Sequence, residues 1–231
     1  MEQALTLHPL LADRQVRGLV FDLDGTLIHS APDILHSIRV TLEQAGFGTL
    51  PEDYFPDNLH STSMGILRDI MLDMGWKVPD DFSSLRAEYL ANYRALGHRN
   101  TQLYPDVAEF LHACQEAGFS LAICTNKVRD LAMSALERVG LDGAFNFVSG
   151  ADTWAEAKPS PLPLLETIRM LDLTPEQCLY FGDTSTDAAC AQAARVPFLL
   201  HEAGYGDAAL RQHRPSLAFK GWRELAGAVA V

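Results

Sequence analysis

Two carboxylates stand two residues apart in Phe21-Asp22-Leu23-Asp24-Gly25-Thr26-Leu27, where an apolar run ends and the chain turns at glycine. In such a pair one carboxylate can attack as a nucleophile while the other moves a proton. Three further segments carry polar groups in comparable places. Thr125-Asn126-Lys127 offers a hydroxyl and an amide after a second apolar run. Lys158 stands just before a helical pattern, followed by Pro159-Ser160-Pro161. Gly182-Asp183-Thr184-Ser185-Thr186-Asp187 adds two more carboxylates after a third apolar run. Each residue alone has an ordinary role: Asp-Gly as a turn, Thr125 as a helix cap, Lys158 as a solvated charge, Asp183 and Asp187 at a helix start. Gathered in one crevice, these carboxylates would repel one another and an anionic substrate unless a cation joined them.

The elements that would gather them are legible in the hydrophobic pattern. Gly18 to Phe21, Ser120 to Cys124, Cys178 to Phe181 and Pro197 to Leu200 are continuous apolar runs, as expected of parallel strands buried on both faces. Helical patterns lie between most of them, at 107–117, 128–139, 161–171 and 186–194. This alternation predicts an α/β fold, a doubly wound Rossmann-like parallel sheet core, in which ligands bind at the carboxyl ends of the strands. The first two strands are separated by far more chain than one crossover needs. That chain reads as helices at 32–45, 64–74 and 82–95, with Ser30 before Pro32 as a cap signal. The expected organisation is a core of residues 1–28 and 104–231 with an inserted small helical cap domain at 29–103. The Ala-rich end from Leu225 reads as a terminal helix or a fraying tail.

The four polar segments, in this order and spacing, resemble the four motifs of the haloacid dehalogenase superfamily. Within it the chain is similar to the phosphoglycolate phosphatase-like group, whose members carry a helical cap between the first two motifs. The resemblance implies a phosphatase acting on a small phosphorylated metabolite through an aspartyl-phosphate. Asp22 would be the nucleophile, Asp24 the general acid and base, and Thr125 and Lys158 the groups that stabilise the transferring phosphoryl. Gly25, Thr26 and Asn126 would help bind substrate. Mg2+ is the implied cofactor, held by Asp22, Asp24 through its carbonyl, and Asp183, with Asp187 either a ligand or a partner of the site. The dehalogenases of the superfamily lack an acid/base aspartate where this chain has Asp24, so dehalogenation is disfavoured. Specificity would reside in a cap loop containing Ser61, Thr62 and Ser63.

Two departures stand out. His29 occupies a place where the group often has aspartate, near the cap hinge, where it would either help bind a substrate carboxylate or, the favoured reading, simply be solvated. Arg195 replaces a common glycine at a helix end. Gly182-Asp183 replaces the Glu-Asp frequent in β-phosphoglucomutase-like phosphomutases, which are the nearest alternative. A noncatalytic binding module on the same fold is a second one, but such a module has no chemical need for Asp22, Asp24, Lys158 and Asp183 together. Arg68 and Lys77 read as exposed charges.

The net charge of −12 over 231 residues argues against a general nucleic-acid or anionic-membrane surface. No apolar run approaches a membrane span, and the start of the chain lacks a basic segment followed by an apolar stretch. A cytoplasmic protein, monomer or homodimer, is therefore expected. The four cysteines have no metal-like spacing and read as reduced and structural.

Overall fold

The computed structural model describes residues 5–11, 13 and 15–228. In chain order the elements begin with β1 (Leu5–Leu7), β2 (Gly18–Phe21) and β3 (Ile28–His29). Helices α1 (Ala31–Gln44), α2 (Ser63–Asp73) and α3 (Ser83–Leu96) follow, and β4 (Gln102–Leu103) closes that stretch. Next come α4 (Val107–Glu116), β5 (Ser120–Cys124), α5 (Arg129–Arg138), β6 (Phe147–Ser149) and α6 (Leu162–Met170). The chain ends with β7 (Cys178–Gly182), α7 (Ser185–Ala194), β8 (Phe198–His201), β9 (Leu217–Phe219) and β10 (Ala226–Ala228).

The central sheet has six strands in the order β6-β5-β2-β7-β8-β9, and all its neighbours are parallel. From β2 the chain builds outward through β5 and β6 on one side, then through β7, β8 and β9 on the other. The carboxyl end of β2 is thus the point where the connections diverge, which in this architecture opens a crevice. The period of two explains why both faces are apolar. Leu19, Phe21, Leu121, Ile123, Leu179 and Phe181 face a core that includes Phe110, Phe219 and Trp222. Val20, Ala122, Cys124, Cys178 and Tyr180 face the opposite core, under α6 and α7. All four cysteines are buried and free.

The helices between β3 and β4 gather around an apolar cluster of their own, with Ile38, Leu42, Leu67, Ile70, Met71 and Tyr93 in its interior. Val128 and Leu131 from the start of α5 join that cluster and tie it to the sheet domain. Where the chain leaves and rejoins the sheet domain, β3 and β4 pair antiparallel, Ile28 with Leu103 and His29 with Gln102. Two expectations need correction. Ser30 precedes α1, but its side chain caps no helix N–H; its hydroxyl turns to Asp24. The Tyr205 hydroxyl accepts from the Ser30 and Ala31 backbone N–H groups, at 2.8 Å each. The Ala-rich end is neither helix nor tail over Ala226–Ala228, which pairs antiparallel with Leu5–Leu7; residues 229–231 lie outside the described residues. The short edge strands β6 and β9 were not expected from the sequence. Among the described residues, no helix is long and apolar enough to cross a membrane.

Arg195 ends α7 in the left-handed region, at φ 59°, where a Cβ costs energy and glycine does not. Arg195→Gly is therefore expected to stabilise the fold by roughly 0.5–1 kcal/mol, after allowing for the entropy glycine adds to the unfolded chain. Thermal denaturation would show a midpoint about 1–4 °C higher. A lower midpoint would mean that Arg195 side-chain contacts outweigh the backbone strain.

Candidate active site

The carboxylates meet beyond the ends of β2 and β7. Asp22 extends the ladder by one step, its N–H donating to Phe181 O at 2.8 Å, so its side chain emerges at a fixed angle beside Asp183. After Asp24 the chain reverses within a few residues, with Gly25 N donating to Ile28 O and Leu27 N to Leu23 O. Gly25 sits at φ +87°, and a Cβ there would lie 2.2 Å from Asp183 Oδ2. Only glycine lets the turn and that carboxylate approach so closely. At Gly182 a Cβ would come within 2.5 Å of the Asp187 side chain. That missing side chain is what allows the first turn of α7 to tuck Asp187 beneath the end of β7.

Lys158 is buried, not solvated, with 5% of its surface exposed. Its Nζ lies 2.9 Å from Asp22 Oδ1 and 2.6 Å from Asp187 Oδ1, and it donates to the Tyr180 hydroxyl at 2.9 Å. The Lys158 backbone is braced by Asn126, which accepts from Lys158 N and donates to Lys158 O. Asn126 also donates to His60 O in the helical segment, at 3.2 Å. Thr125 is held at the end of β5 by its N–H on Ser149 O.

The two carboxylates of the last segment differ sharply. Asp187 Oδ1 accepts from Lys158 and Tyr180, and its Oδ2 accepts from the Thr184 hydroxyl and from the backbone of Asp183 and Thr184. Burial alone would raise its pKa, but Lys158 and these hydrogen bonds outweigh that and hold it below the ordinary carboxylate range. Asp183 accepts from the Thr26 hydroxyl at 2.9 Å and from Tyr205 N at 2.7 Å. Burial, followed by repulsion from Asp187 and Asp22, drives its carboxyl well above its ordinary value. Asp22 rises to about 7, mainly through burial, with Lys158 opposing and Asp187 and Asp24 adding to the rise.

Three carboxylates, Asp22, Asp183 and Asp187, bring oxygens within 4.8 Å of one another, while among the described residues Lys158 is the only ammonium that pairs with any of them. Fully ionised, the cluster would carry more negative than positive charge. Asp22 Oδ1 lies 2.9 Å from Lys158 Nζ but outside hydrogen-bond geometry, while the ammonium donates to Asp187 and Tyr180. A buried carboxylate oxygen with no hydrogen bond, an excess of buried carboxylate and two carboxyls pushed up by burial and mutual repulsion all fit an oxygen-seeking divalent cation. Asp22 has oxygens to offer it, and each Asp183 oxygen accepts a single hydrogen bond and keeps a lone pair, whereas each Asp187 oxygen already accepts two or more.

A small cavity opens beside this cluster, lined by Asp22, Asp24, Thr125, Asn126, Lys127, Ser61, Ser63, His60, Tyr89 and Tyr93 among others. Its volume of about 40 Å³ holds only a few waters. Of the residues expected to bind substrate, Asn126, Ser61 and Ser63 line it, while Gly25, Thr26 and Thr62 do not. Thr26 instead supports Asp183, and Thr62 caps α2 through Gly65 N. His60 carries an unpartnered Nδ1, and burial lowers its pKa. His29 is exposed, against Tyr104 and Tyr205, and Arg68 and Lys77 are exposed as well.

Three participants went unassigned in the sequence reading: Lys127, which pairs with Asp24 at 3.0 Å; Tyr205, which joins Asp183 to the start of α1; and Tyr180. Tyr180 had a usable signal, because an outlying hydroxyl within a buried apolar strand needs a partner. Tyr205 lies in a loop 175 residues from Ser30, and nothing local marks it.

Comparison with known proteins gives a consistent picture. The haloacid dehalogenase-like hydrolase family matches residues 19–201. A phosphoglycolate phosphatase of Aquifex aeolicus is 36% identical over 194 residues, covering 82% of this chain and 86% of its own. One from Mesorhizobium japonicum is 34% identical over 199 residues, covering 86% and 88%. Among solved structures, a haloacid dehalogenase-like hydrolase from Bacteroides fragilis superposes with a TM-score of 0.81 at 27% identity, covering 91% of this chain and 99% of that one.

The raised Asp22 carboxyl has a measurable consequence. In the metal-free protein the folded state keeps a proton on Asp22 up to about pH 7, while the ordinary value is 3.8. Folding therefore takes up a proton between those values, and stability contributed by this group falls as pH rises through that window. Urea unfolding at pH 5 and pH 8 is expected to show the metal-free wild type losing stability relative to Asp22→Asn at the higher pH, with a divalent cation reversing the loss. Parallel pH profiles for the two proteins would show that Asp22 is not raised.

Proposed function

The chain belongs to the haloacid dehalogenase-like hydrolases and is a phosphoric monoester hydrolase, and on that premise we propose that it frees phosphate from a small metabolite through an aspartyl-phosphate on Asp22, with Mg2+ as cofactor. The substrate class is a phosphoglycolate-like ester or a sugar phosphate. The observation that carries the reading is the buried cluster of Asp22, Lys158, Asp187 and Asp183 at the ends of adjacent parallel strands.

In the first step an Asp22 oxygen bonds to phosphorus, the ester P–O bond breaks, and Asp24 gives its proton to the departing oxygen. In the second, Asp24 takes a proton from water, whose oxygen attacks phosphorus, so that inorganic phosphate leaves and the Asp22 carboxylate returns. Thr125 donates to a phosphoryl oxygen, and Lys158 offsets charge on Asp22 and on the transferring group. Asp187 keeps Lys158 charged and aimed. Asp22, Asp183 and the Asp24 carbonyl would hold the metal, which when bound supplies positive charge to the phosphoryl oxygens.

Residues 29–103 act in this reading as a cap. A cavity of about 40 Å³ is too small for a phosphate ester, so the helices must move away for substrate to enter and return to exclude water. Hydrolysis is favoured over phosphoryl return to a sugar by Gly182, where a side chain like that of the mutases would run into Asp187.

Phosphate release from phosphoglycolate, sugar phosphates and nucleoside monophosphates tests the proposal, with Mg2+ or EDTA present. Turnover is expected with Mg2+ and not with EDTA, and Asp22→Asn is expected to lower kcat by at least about 10³-fold. Folded, metal-loaded protein that releases phosphate from none of these esters would overturn it.

A further inference from the structure

Lys127 is a charge in the cavity wall to which the reaction above gives no part. Its side chain is 4% exposed, and lysine is almost never buried without a partner. Its Nζ lies 3.0 and 3.2 Å from the two Asp24 oxygens, 2.7 Å from the Tyr93 hydroxyl and 4.5 Å above the Tyr93 ring. Asp24 is the only charged group in these contacts. Yet Asp24 is the residue that has to face the leaving oxygen, and turning a carboxylate oxygen toward it breaks the two-oxygen clasp on Lys127.

Once Asp24 turns, Tyr93 is the group left in contact with the ammonium, and Asp22, the other carboxylate of the wall, is already paired with Lys158. With a neutral alcohol portion, the only negative charge left to this ammonium would be that of the phosphoryl group, which Thr125 and Lys158 already engage. An alcohol with its own carboxylate would replace Asp24 in that pairing. We infer that Lys127 is a specificity-determining residue that pairs with a carboxylate on the alcohol portion of the substrate, deepening the phosphatase reading on which it rests.

The geometry also limits where that carboxylate lies. Lys127 follows Thr125 and Asn126 on one short loop, and it reaches Asp24 directly. Its ammonium is thus one side-chain contact away from the leaving oxygen. A carboxylate on the first or second carbon past that oxygen falls within reach, whereas one at the far end of a sugar does not. The favoured substrates are phosphate esters of short hydroxy acids. Tyr93 comes from α3, so the pairing site is complete only with the helical segment in place.

Two esters of equal length separate the terms: phosphoglycolate, with a carboxylate, and 2-hydroxyethyl phosphate, without one. For the wild type, kcat/KM is expected to favour phosphoglycolate by about 100-fold. Lys127→Gln is expected to reduce that ratio to within about threefold of unity, chiefly through a higher KM for phosphoglycolate, while Lys127→Arg retains most of it. Calorimetric binding of both esters to Asp22→Asn protein, with and without Lys127→Gln, reads the same preference with no turnover. Failure of the wild type to hydrolyse any ester would sink the phosphatase reading, and the calorimetry would still decide the role of Lys127. A wild-type preference near unity overturns the inference whatever the variants do. Equal losses on both esters overturn it too, because Lys127 would then only position Asp24.

Discussion

The ammonium of Lys158, wedged between Asp22 and Asp187, is the interaction on which the site depends. Burying one carboxylate costs several kcal/mol, and here three converge in a dry space. Lys158 makes that tolerable for two of them, but only because Tyr180 and Asn126 fix where it points. Removing the lysine would leave unpaired buried charge, a far larger penalty than the loss of an exposed ion pair. The sheet supplies the precision: β2 and β7 are hydrogen-bonded neighbours in register, so the carboxylates that follow them cannot drift apart. Asp183 is the carboxylate that Lys158 does not neutralise, which makes it the natural place for a metal to make up the deficit.

Much of this was legible in the chain. The central strands were readable because burial on both faces demands continuous apolar runs, and the helices because their periodicity is regular; Val107–Glu116 and Ser185–Ala194 fall within a residue or two of the expected ranges at each end. The three-residue edge strands β6 and β9 were too short to stand out from loops. The Ala-rich end misled because alanine favours helix, whereas pairing with Leu5–Leu7, more than 200 residues away, decided its conformation. In the site, the carboxylates and Lys158 were readable because each stands where an element begins or ends. Thr26 and Asn126 were read as substrate-binding, and the structure shows what they touch: Asp183 in one case, Lys158 and His60 in the other. Lys127 stood in plain view beside Thr125, yet its partner lies 103 residues earlier, and no local pattern encodes such a distance.

The electrostatics of the crevice divide into two circuits. One joins Lys158 to Asp22 and Asp187 at the floor. The other joins Lys127 to Asp24 and Tyr93 at the wall shared with the helical segment. Tyr205 runs beside both, with its N–H on Asp183 and its hydroxyl at the start of α1. The floor belongs wholly to the sheet domain, whereas the wall draws Tyr93 from the helical segment.

The antiparallel pairing of β3 with β4 means that the chain departs from the sheet domain and comes back at neighbouring points. Everything between them is, topologically, a long excursion from one hairpin stem. Closing a longer or shorter excursion changes the entropy of the unfolded chain only slowly with length, and no strand of the main sheet has to be rethreaded. The stem thus acts as a socket: one phosphoryl-transfer floor could be fitted over evolution, or by grafting, with lids of different size and chemistry, while the register of the strands beneath stays the same.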